Sequence, residues 1–308
     1  MGEISSDTKI HVVRGTPWLD AIIALLQPDS PYRPWRGGAG VQPGDAVLAI
    51  LDTDPASVIT TVPVVGSDGL DGALARVMER ESEWDGPPAL LELGTLSALS
   101  GLSFSREGAE ATVEHPDWLI EHSGVDAEGA DRALYLNGHN TLAAARILLK
   151  SGGRCTGCRA GLDLADANAR YHLHIHTVDV DPTAPLVPVA YEPPPPEVDE
   201  EVPYGPEAIQ LLTDCWRPMR FPPDWPAVLC DTCHDRMRGG GFTSFLDFRF
   251  SLHPPCPSCF ARWTMRTTAG LVVKAIEEPW IQHTGCCGDQ RWWCAACGHR
   301  WGGRDDSG

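Results

Sequence analysis

The 308-residue sequence predicts a multidomain α+β protein. Three observations carry that expectation. The chain is about twice the length of one ordinary domain. Its first part mixes period-2 apolar runs with helical ones. From residue 155 onward, cysteines paired at C-x-x-C spacing take over. The expected parts are an acidic mixed α/β domain over 1–135, a zinc-stapled domain over 136–250 and a zinc ribbon over 251–308. A Pro-rich insertion over 182–206 interrupts the second part.

The elements come in chain order. Pro17-Trp18-Leu19-Asp20 leads into the apolar run 21–26, the length of one amphipathic helix, which Pro28 stops. Residues 30–40 are a Pro/Gly loop. Residues 46–51 and 57–65 are β-rich and are divided by the turn Asp52-Thr53-Asp54-Pro55. Residues 70–80 read as a helix, and Trp118 to Leu134 as a weakly helical stretch. Asn140 is placed to cap a helix through Lys150, with Gly152-Gly153 behind it as the stop. That cap also accounts for His139-Asn140-Thr141 without a catalytic histidine. The segment 182–206, with four consecutive prolines and an acidic run, has no apolar periodicity and reads as an extended linker or insertion.

Charge narrows the function classes. The chain holds 24 basic and 42 acidic residues, net −18. Residues 1–150 hold 10 and 22, residues 151–205 hold 3 and 9, and residues 206–308 hold 11 of each. The overall excess repels phosphate at long range, which argues against a general nucleic-acid coat protein. The balanced last hundred residues leave room for a local basic face. No run nears the ~20 apolar residues of a membrane-spanning helix. The first ten residues lack the apolar region of an export signal, so the expected location is the cytoplasm.

Eight of the 11 cysteines fall in four C-x-x-C pairs: Cys155/Cys158, Cys230/Cys233, Cys256/Cys259 and Cys294/Cys297. In a chain read as cytoplasmic such pairs suggest zinc before disulfides. Two knuckles supply four thiolates to a tetrahedral ion. Cys256, Cys259, Cys294 and Cys297, with a possible hairpin in 264–276 between them, form the ribbon site. Gly298 supplies a glycine for the second knuckle's turn. Cys155, Cys158, Cys230 and Cys233 form the other site. Pairing Cys230/Cys233 with Cys256/Cys259 is a competing arrangement. Cys215, Cys286 and Cys287 are left over; one of the last two could replace a ribbon ligand, but the expectation is that they pack against Trp280 and Trp292.

Between the first two pairs lies Tyr171-His172-Leu173-His174-Ile175-His176-Thr177-Val178-Asp179-Val180-Asp181. Strand alternation places His172, His174 and His176 on one face and Leu173 and Ile175 on the other. His172 reads as part of a solvated face. His234 comes directly after Cys233, in Leu229-Cys230-Asp231-Thr232-Cys233-His234. The order of knuckle, His-bearing strand and L-C-x-x-C-H over residues 150–240 resembles the zinc-stapled HNH nucleases, the ββα-metal or His-Me finger family. The resemblance implies that His176 is the general base that activates water. It implies that His234 binds a catalytic divalent cation, Mg²⁺ or Mn²⁺, and that the cysteines hold structural zinc. The sequence departs from the family in three places. Ile175 stands where the family has a metal-binding Asp or His, a role His174 or Asp179 (or Asp181) would take over. Trp225, beside Asp224, stands at the family's loop-tying Asn. Arg236, Met237 and Arg238 occupy the stretch that usually holds a second helix histidine.

Trp263, Trp280, Trp292, Trp293 and Trp301 accompany Arg262, Arg266, Arg291 and Arg300. Most of the tryptophans are expected to form the ribbon's small core, with Arg266 and Arg291 as candidate DNA contacts. Residues 41–65, with Gly44-Asp45 before one strand and Asp54-Pro55 before the next, faintly resemble the PUA-like modules related to EVE domains. The expectation is therefore a DNA endonuclease with two structural zinc ions and one catalytic cation, its sharper form a defence-type, modification-dependent restriction enzyme. The alternative is a non-catalytic zinc-binding adaptor whose acidic domain meets a protein partner. DNA is the expected partner in the first reading, and a membrane in neither.

Overall fold

The computed structural model describes residues 8–78, 89–115, 136–179, 187–188, 220–268, 278–283 and 290–303. The expected helix over 118–134, most of the insertion, Cys215 and Cys286-Cys287 lie outside them. The protein is mixed α+β. It divides into two compact units, one of residues 1–179 with 226–236, the other of 180–225 with 237–308. These units do not follow the three sequence parts, because the core of the first runs on past residue 135.

The first unit is built on a seven-stranded sheet. Its strands are β1 (Ile10–Gly15), β2 (Trp35–Gly37), β3 (Ala46–Leu51), β4 (Ser57–Ile59), β5 (Leu90–Glu92), β6 (Ser103–Phe104) and β7 (Glu110–Thr112). β1 runs parallel to β3 along its whole length. Its other edge is shared, with β7 pairing to Ile10 and His11 and β2 to Val13 through Gly15. β3 has the sequence AVLAIL and is buried at all six positions, as expected of a strand covered on both faces. Alternation sorts its side chains. Val47, Ala49 and Leu51 join one apolar cluster, and Ala46, Leu48 and Ile50 join another on the opposite face.

The helices of this unit are α1 (Trp18–Leu26), α2 (Gly69–Arg76), α3 (Leu93–Ser100) and α4 (Thr141–Ser151). α2 is shorter than the expected span to residue 80. α4 is framed as its sequence predicts. The Ala143 N–H donates to the Asn140 side chain at 2.8 Å, and Gly152 ends the helix at φ 58°. Leu142, Ala145, Ile147, Leu148 and Leu149 of α4 lie in the same cluster as Ala21, Ile22 and Leu25 of α1. The buried ring of His11 donates to Asp45 at 2.9 Å, across the Gly44-Asp45 turn, where Gly44 has φ 96°. The Gln42 N–H, with His11 second, holds the Asp45 carboxyl below its usual range.

After α4 the chain forms β8 (His174–His176), β9 (Val187–Pro188), β10 (Arg220–Phe221) and β11 (Ala227–Leu229). β8 pairs antiparallel with β11. β11 leads into α5 (Asp231–Gly239), whose first residues belong to the first unit. Val228 is buried in the main cluster of that unit, and Leu173 and Ile175 pack against it. The β8–β11 hairpin is thus seated on the core of the first unit by its apolar face.

In the second unit β9 pairs with β10, and α6 (Phe245–Ser251) buries Phe245, Leu246, Phe248 and Phe250. Trp280 is wholly buried, edge-on to Phe245 and Trp225. A four-stranded sheet has the order β13 (Ile281–His283), β12 (Thr264–Thr268), β14 (Trp292–Cys294), β15 (Arg300–Trp301). β12 begins where the 264–276 hairpin is expected. Its partners among the described residues are β14, antiparallel, and β13, parallel, while residues 269–277 lie outside them.

Candidate metal centres and histidine site

Three of the four C-x-x-C pairs make one and the same turn. The first cysteine's N–H donates to the carbonyl five residues on, and the residue after the second cysteine donates back to the first cysteine's carbonyl. This holds for Cys155 with Ala160 and Arg159, for Cys256 with Ala261 and Phe260, and for Cys294 with His299 and Gly298. The residue after each pair is left-handed: Arg159 at φ 64°, Phe260 at 60° and Gly298 at 72°. The glycine expected of this turn is therefore used once in three. The fourth pair differs. Cys230 and Cys233 sit at the start of α5, and the His234 N–H donates to the Cys230 carbonyl as the first helical bond.

The eight cysteines form two groups of four, Cys155/Cys158/Cys230/Cys233 and Cys256/Cys259/Cys294/Cys297. This pairing excludes the competing one between Cys230/Cys233 and Cys256/Cys259. Within each group all sulfurs lie within 4.8 Å of one another. Tetrahedral zinc at ~2.3 Å from each sulfur needs neighbouring sulfurs ~3.8 Å apart. The structure has Cys158–Cys230 at 3.9 Å, Cys256–Cys297 at 3.7 Å and Cys259–Cys294 at 3.6 Å. Both groups fit a structural metal ion. Burial pushes the Cys233 and Cys294 thiols up, and Cys297 up to about 11. Cys155 and Cys256 are held below the usual thiol value in spite of burial, because backbone N–H groups of their own knuckles point at the sulfur. The Cys230 N–H also donates to the Cys155 sulfur at 3.4 Å. A bound cation would offset the remaining cost of four adjacent thiolates.

The first cluster is tied to the hairpin beside it. The Thr156 N–H donates to the Val228 carbonyl at 2.8 Å, and the Val228 N–H to the Thr156 hydroxyl at 3.0 Å. Gly157 lies against Cys233, so that an added Cβ would meet its sulfur at 3.0 Å.

β8 presents its histidines on the face away from the core. His174 stands opposite Leu229, and His176 opposite Ala227. The His174 ring stacks on His234 with centroids 3.8 Å apart and planes within 1°. Asp231, in the first turn of α5, receives two hydrogen bonds. His172 donates through Nδ1 to one oxygen and His174 through Nε2 to the other, both at 2.7 Å. These bonds, His174 first, hold the Asp231 carboxyl below its usual range. They also leave Nδ1 as the His174 nitrogen turned away from the carboxylate. Close by in sequence, His139 Nδ1 lies 3.0 Å from the Thr177 hydroxyl, and the Gly138 N–H donates to the Val178 carbonyl.

Of the residues expected at a catalytic centre, the structure brings His174 and His234 into contact. His176 is on the same strand, and Asp179 lies three residues beyond it. Among the described residues no three of His174, His176, Asp179 and His234 gather donor atoms within 4.8 Å, as the cysteines do. Sequence reading missed Asp231 and the partnered state of His172. The signal was present, since Asp231 is three residues before His234 and so lies beside it on one helix face. Beside Trp225, Asp224 ties the loop to the start of α6. Its Oδ1 accepts from the Trp225 and Phe245 N–H groups and the Ser244 hydroxyl, while Trp225 is buried.

In the second unit, Trp280 is core and Trp263 stacks on Phe221. Trp292, Trp293 and Trp301 are only half-buried. Arg266 and Arg291 are exposed, the former opposite Trp292 in the sheet and the latter with its guanidinium 5.8 Å from the Trp292 ring centre. No described helix is long and apolar enough to cross a membrane. No protein-family model, curated protein or solved structure matches the chain. What the fold and sites define is thus a class: a mixed α+β protein with two four-cysteine clusters suited to two structural metal ions.

Proposed function

We propose that this protein is a metal-dependent endonuclease that hydrolyses DNA phosphodiester bonds. The observation that carries the reading is the stack of His174 on His234, where a strand backed by a second strand meets the first turn of a helix, all braced by one four-cysteine cluster. Phosphodiester hydrolysis requires a base that titrates near neutrality and a cation at the leaving oxygen. His176 is the assigned base. His234 is the assigned cation ligand, with His174 through Nδ1 and Asp179 as the groups that complete the site around Mg²⁺ or Mn²⁺. Asp231 orients the His174 ring, as carboxylates commonly do for metal-binding imidazoles. Arg266 and Arg291 contact the DNA backbone. A defence role, with the acidic N-terminal domain recognising a modified base, is the narrower form of the same reading.

A second reading keeps one observation on its side. The sets of three or more metal-suited donors among the described residues are the two cysteine clusters. On that reading the histidines are a polar face and the protein is a zinc-braced adaptor. Plasmid nicking with Mg²⁺ or Mn²⁺, wild type against His176→Ala at equal zinc content, separates the two. The nuclease reading expects nicking that falls at least about a hundredfold in the variant, the lower range for losing a general base. Absence of cleavage under every metal favours the adaptor, and undiminished cleavage removes His176 from the mechanism.

A further inference from the structure

The cross-strand register of the ribbon sheet lines up residues that are separate in sequence. Arg266 of β12 is the direct partner of Trp292 of β14, and Trp292 is the direct partner of Trp301 of β15. Direct partners in antiparallel strands share a face. A row of one guanidinium and two indoles therefore crosses three strands. Arg291 adds a second guanidinium over the Trp292 ring, and His299 extends the row by stacking on Trp301, with centroids 5.7 Å apart and planes 16° from parallel. Arg266, Arg291 and His299 are exposed, and the two tryptophans half-buried. They have not been drawn into the core, as Trp280 has.

Charge says what covers this row. Residues 251–308 hold six basic and five acidic residues, net +1, and the described charged side chains beside the row are Arg266 and Arg291. The whole chain is net −18. Among the described residues neither Arg266 nor Arg291 is in an ion pair. Exposed guanidinium groups next to half-open indoles suit a ligand that alternates phosphates with flat aromatic rings. A duplex hides the faces of its bases in the stack, so that only its phosphates and base edges are offered. A single strand offers phosphates and base faces together, and its bases stack on aromatic side chains whatever their sequence.

We infer that the Arg266–Trp292–Trp301 face of the ribbon binds single-stranded nucleic acid, with bases stacked on the tryptophans and phosphates held by Arg266 and Arg291. The inference deepens the DNA reading above by naming an unpaired strand as what the ribbon grips, but the binding itself needs no cleavage.

The test is fluorescence anisotropy of a labelled oligothymidine longer than the ~16-nucleotide upper site size of such platforms. It uses the full zinc-loaded chain with no added divalent cation. The expected result is binding that weakens with salt and quenches tryptophan emission, with the matching duplex bound at least about tenfold more weakly. Arg266→Ala with Arg291→Ala should weaken binding about tenfold or more and flatten the logarithmic salt slope by ~1.4, at ~0.7 per lost phosphate contact. Trp301→Ala should weaken it on the order of tenfold. Zinc content checks that Trp301→Ala keeps its fold, and the double arginine variant, which touches no core residue, decides alone if it does not. Wild-type affinity in the double variant overturns the inference, as does equal or tighter binding of the duplex or full displacement by polyglutamate. Nicking is scored separately. A chain that binds single strands but never nicks defeats the nuclease reading and leaves the ribbon inference standing. One that nicks, yet binds single strands with wild-type affinity when both arginines are gone, does the reverse.

Discussion

The two cysteine clusters share ligands and sulfur spacing and differ in the path the chain takes after the last ligand. In the second unit, Cys294-Ala295-Ala296-Cys297 closes a left-handed turn at Gly298 and the chain enters β15. In the first unit, Cys230-Asp231-Thr232-Cys233 opens α5, so the chain leaves the metal site as a helix. The exit in the second unit yields a sheet face of indoles and guanidinium groups. The other exit places Asp231 and His234 in a helix's first turn, within reach of the β8 imidazoles. A C-x-x-C pair therefore specifies a metal ligand but not the chemistry beside it. That is set by whether the next residue turns left-handed or continues as a helix. Gly298 favours the turn, while His234-Asp235-Arg236-Met237-Arg238 tolerates the helix.

The clusters also differ in how much else supports them, and removing the metal should expose this most strongly. The first unit has two extensive apolar clusters on the faces of its sheet. The four-stranded sheet of the second unit has short strands and its own four-cysteine site. Structural zinc contributes ~10–16 kcal/mol of apparent binding free energy in small domains. Chelation, with hydrogen exchange as the readout, should therefore release the β12–β15 amides to near-complete exchange while those of β1 and β3 stay protected. Equal loss in both units would break the contrast.

A smaller effect sharpens it from the other side. Gly157→Ala places a methyl 3.0 Å from the Cys233 sulfur and 3.2 Å from its Cβ. Overpacking of this kind costs ~1–3 kcal/mol. Competition with a chromophoric chelator should show one weakened zinc and one unchanged, because the substitution is absent from the ribbon. Two unchanged sites would mean that the knuckle has slack the structure does not show.

The smallest effect concerns the turns themselves. Arg159 and Phe260 occupy a left-handed conformation that costs a non-glycine residue ~1–2 kcal/mol. Phe260 is also 79% exposed, so its ring contributes little packing. Phe260→Gly should raise the ribbon's thermal midpoint by a few degrees, from a net gain of about 0.5–1 kcal/mol once glycine's greater unfolded-state freedom is subtracted. Gly298→Ala should lower it by a similar amount.

Much of the fold was legible because it rests on local rules. Asn140 and Gly152 bracket α4 by capping chemistry, and AVLAIL in β3 announces a strand buried on both sides. The eight ligands were legible from spacing alone. The partnership of Asp231 with His172 and His174 was not, because it joins residues 59 and 57 positions apart, through a strand pairing that periodicity cannot register. Nor was the domain division. α4 reads as the start of a second domain, but its apolar stripe is complementary to α1, and the two helices share one core.

The sequence by itself determined the ligands, the helix caps, the strand faces and the acidic imbalance, since each is set by residue type and spacing over a few positions. Only the tertiary structure decided which knuckles share an ion, that His174 rather than a neighbour meets His234, and that Arg266, Trp292 and Trp301 form one row. Those outcomes depend on strand register and on where Val228 and Ile175 bury their side chains. Register is chosen by the core as a whole, which no short stretch of sequence encodes.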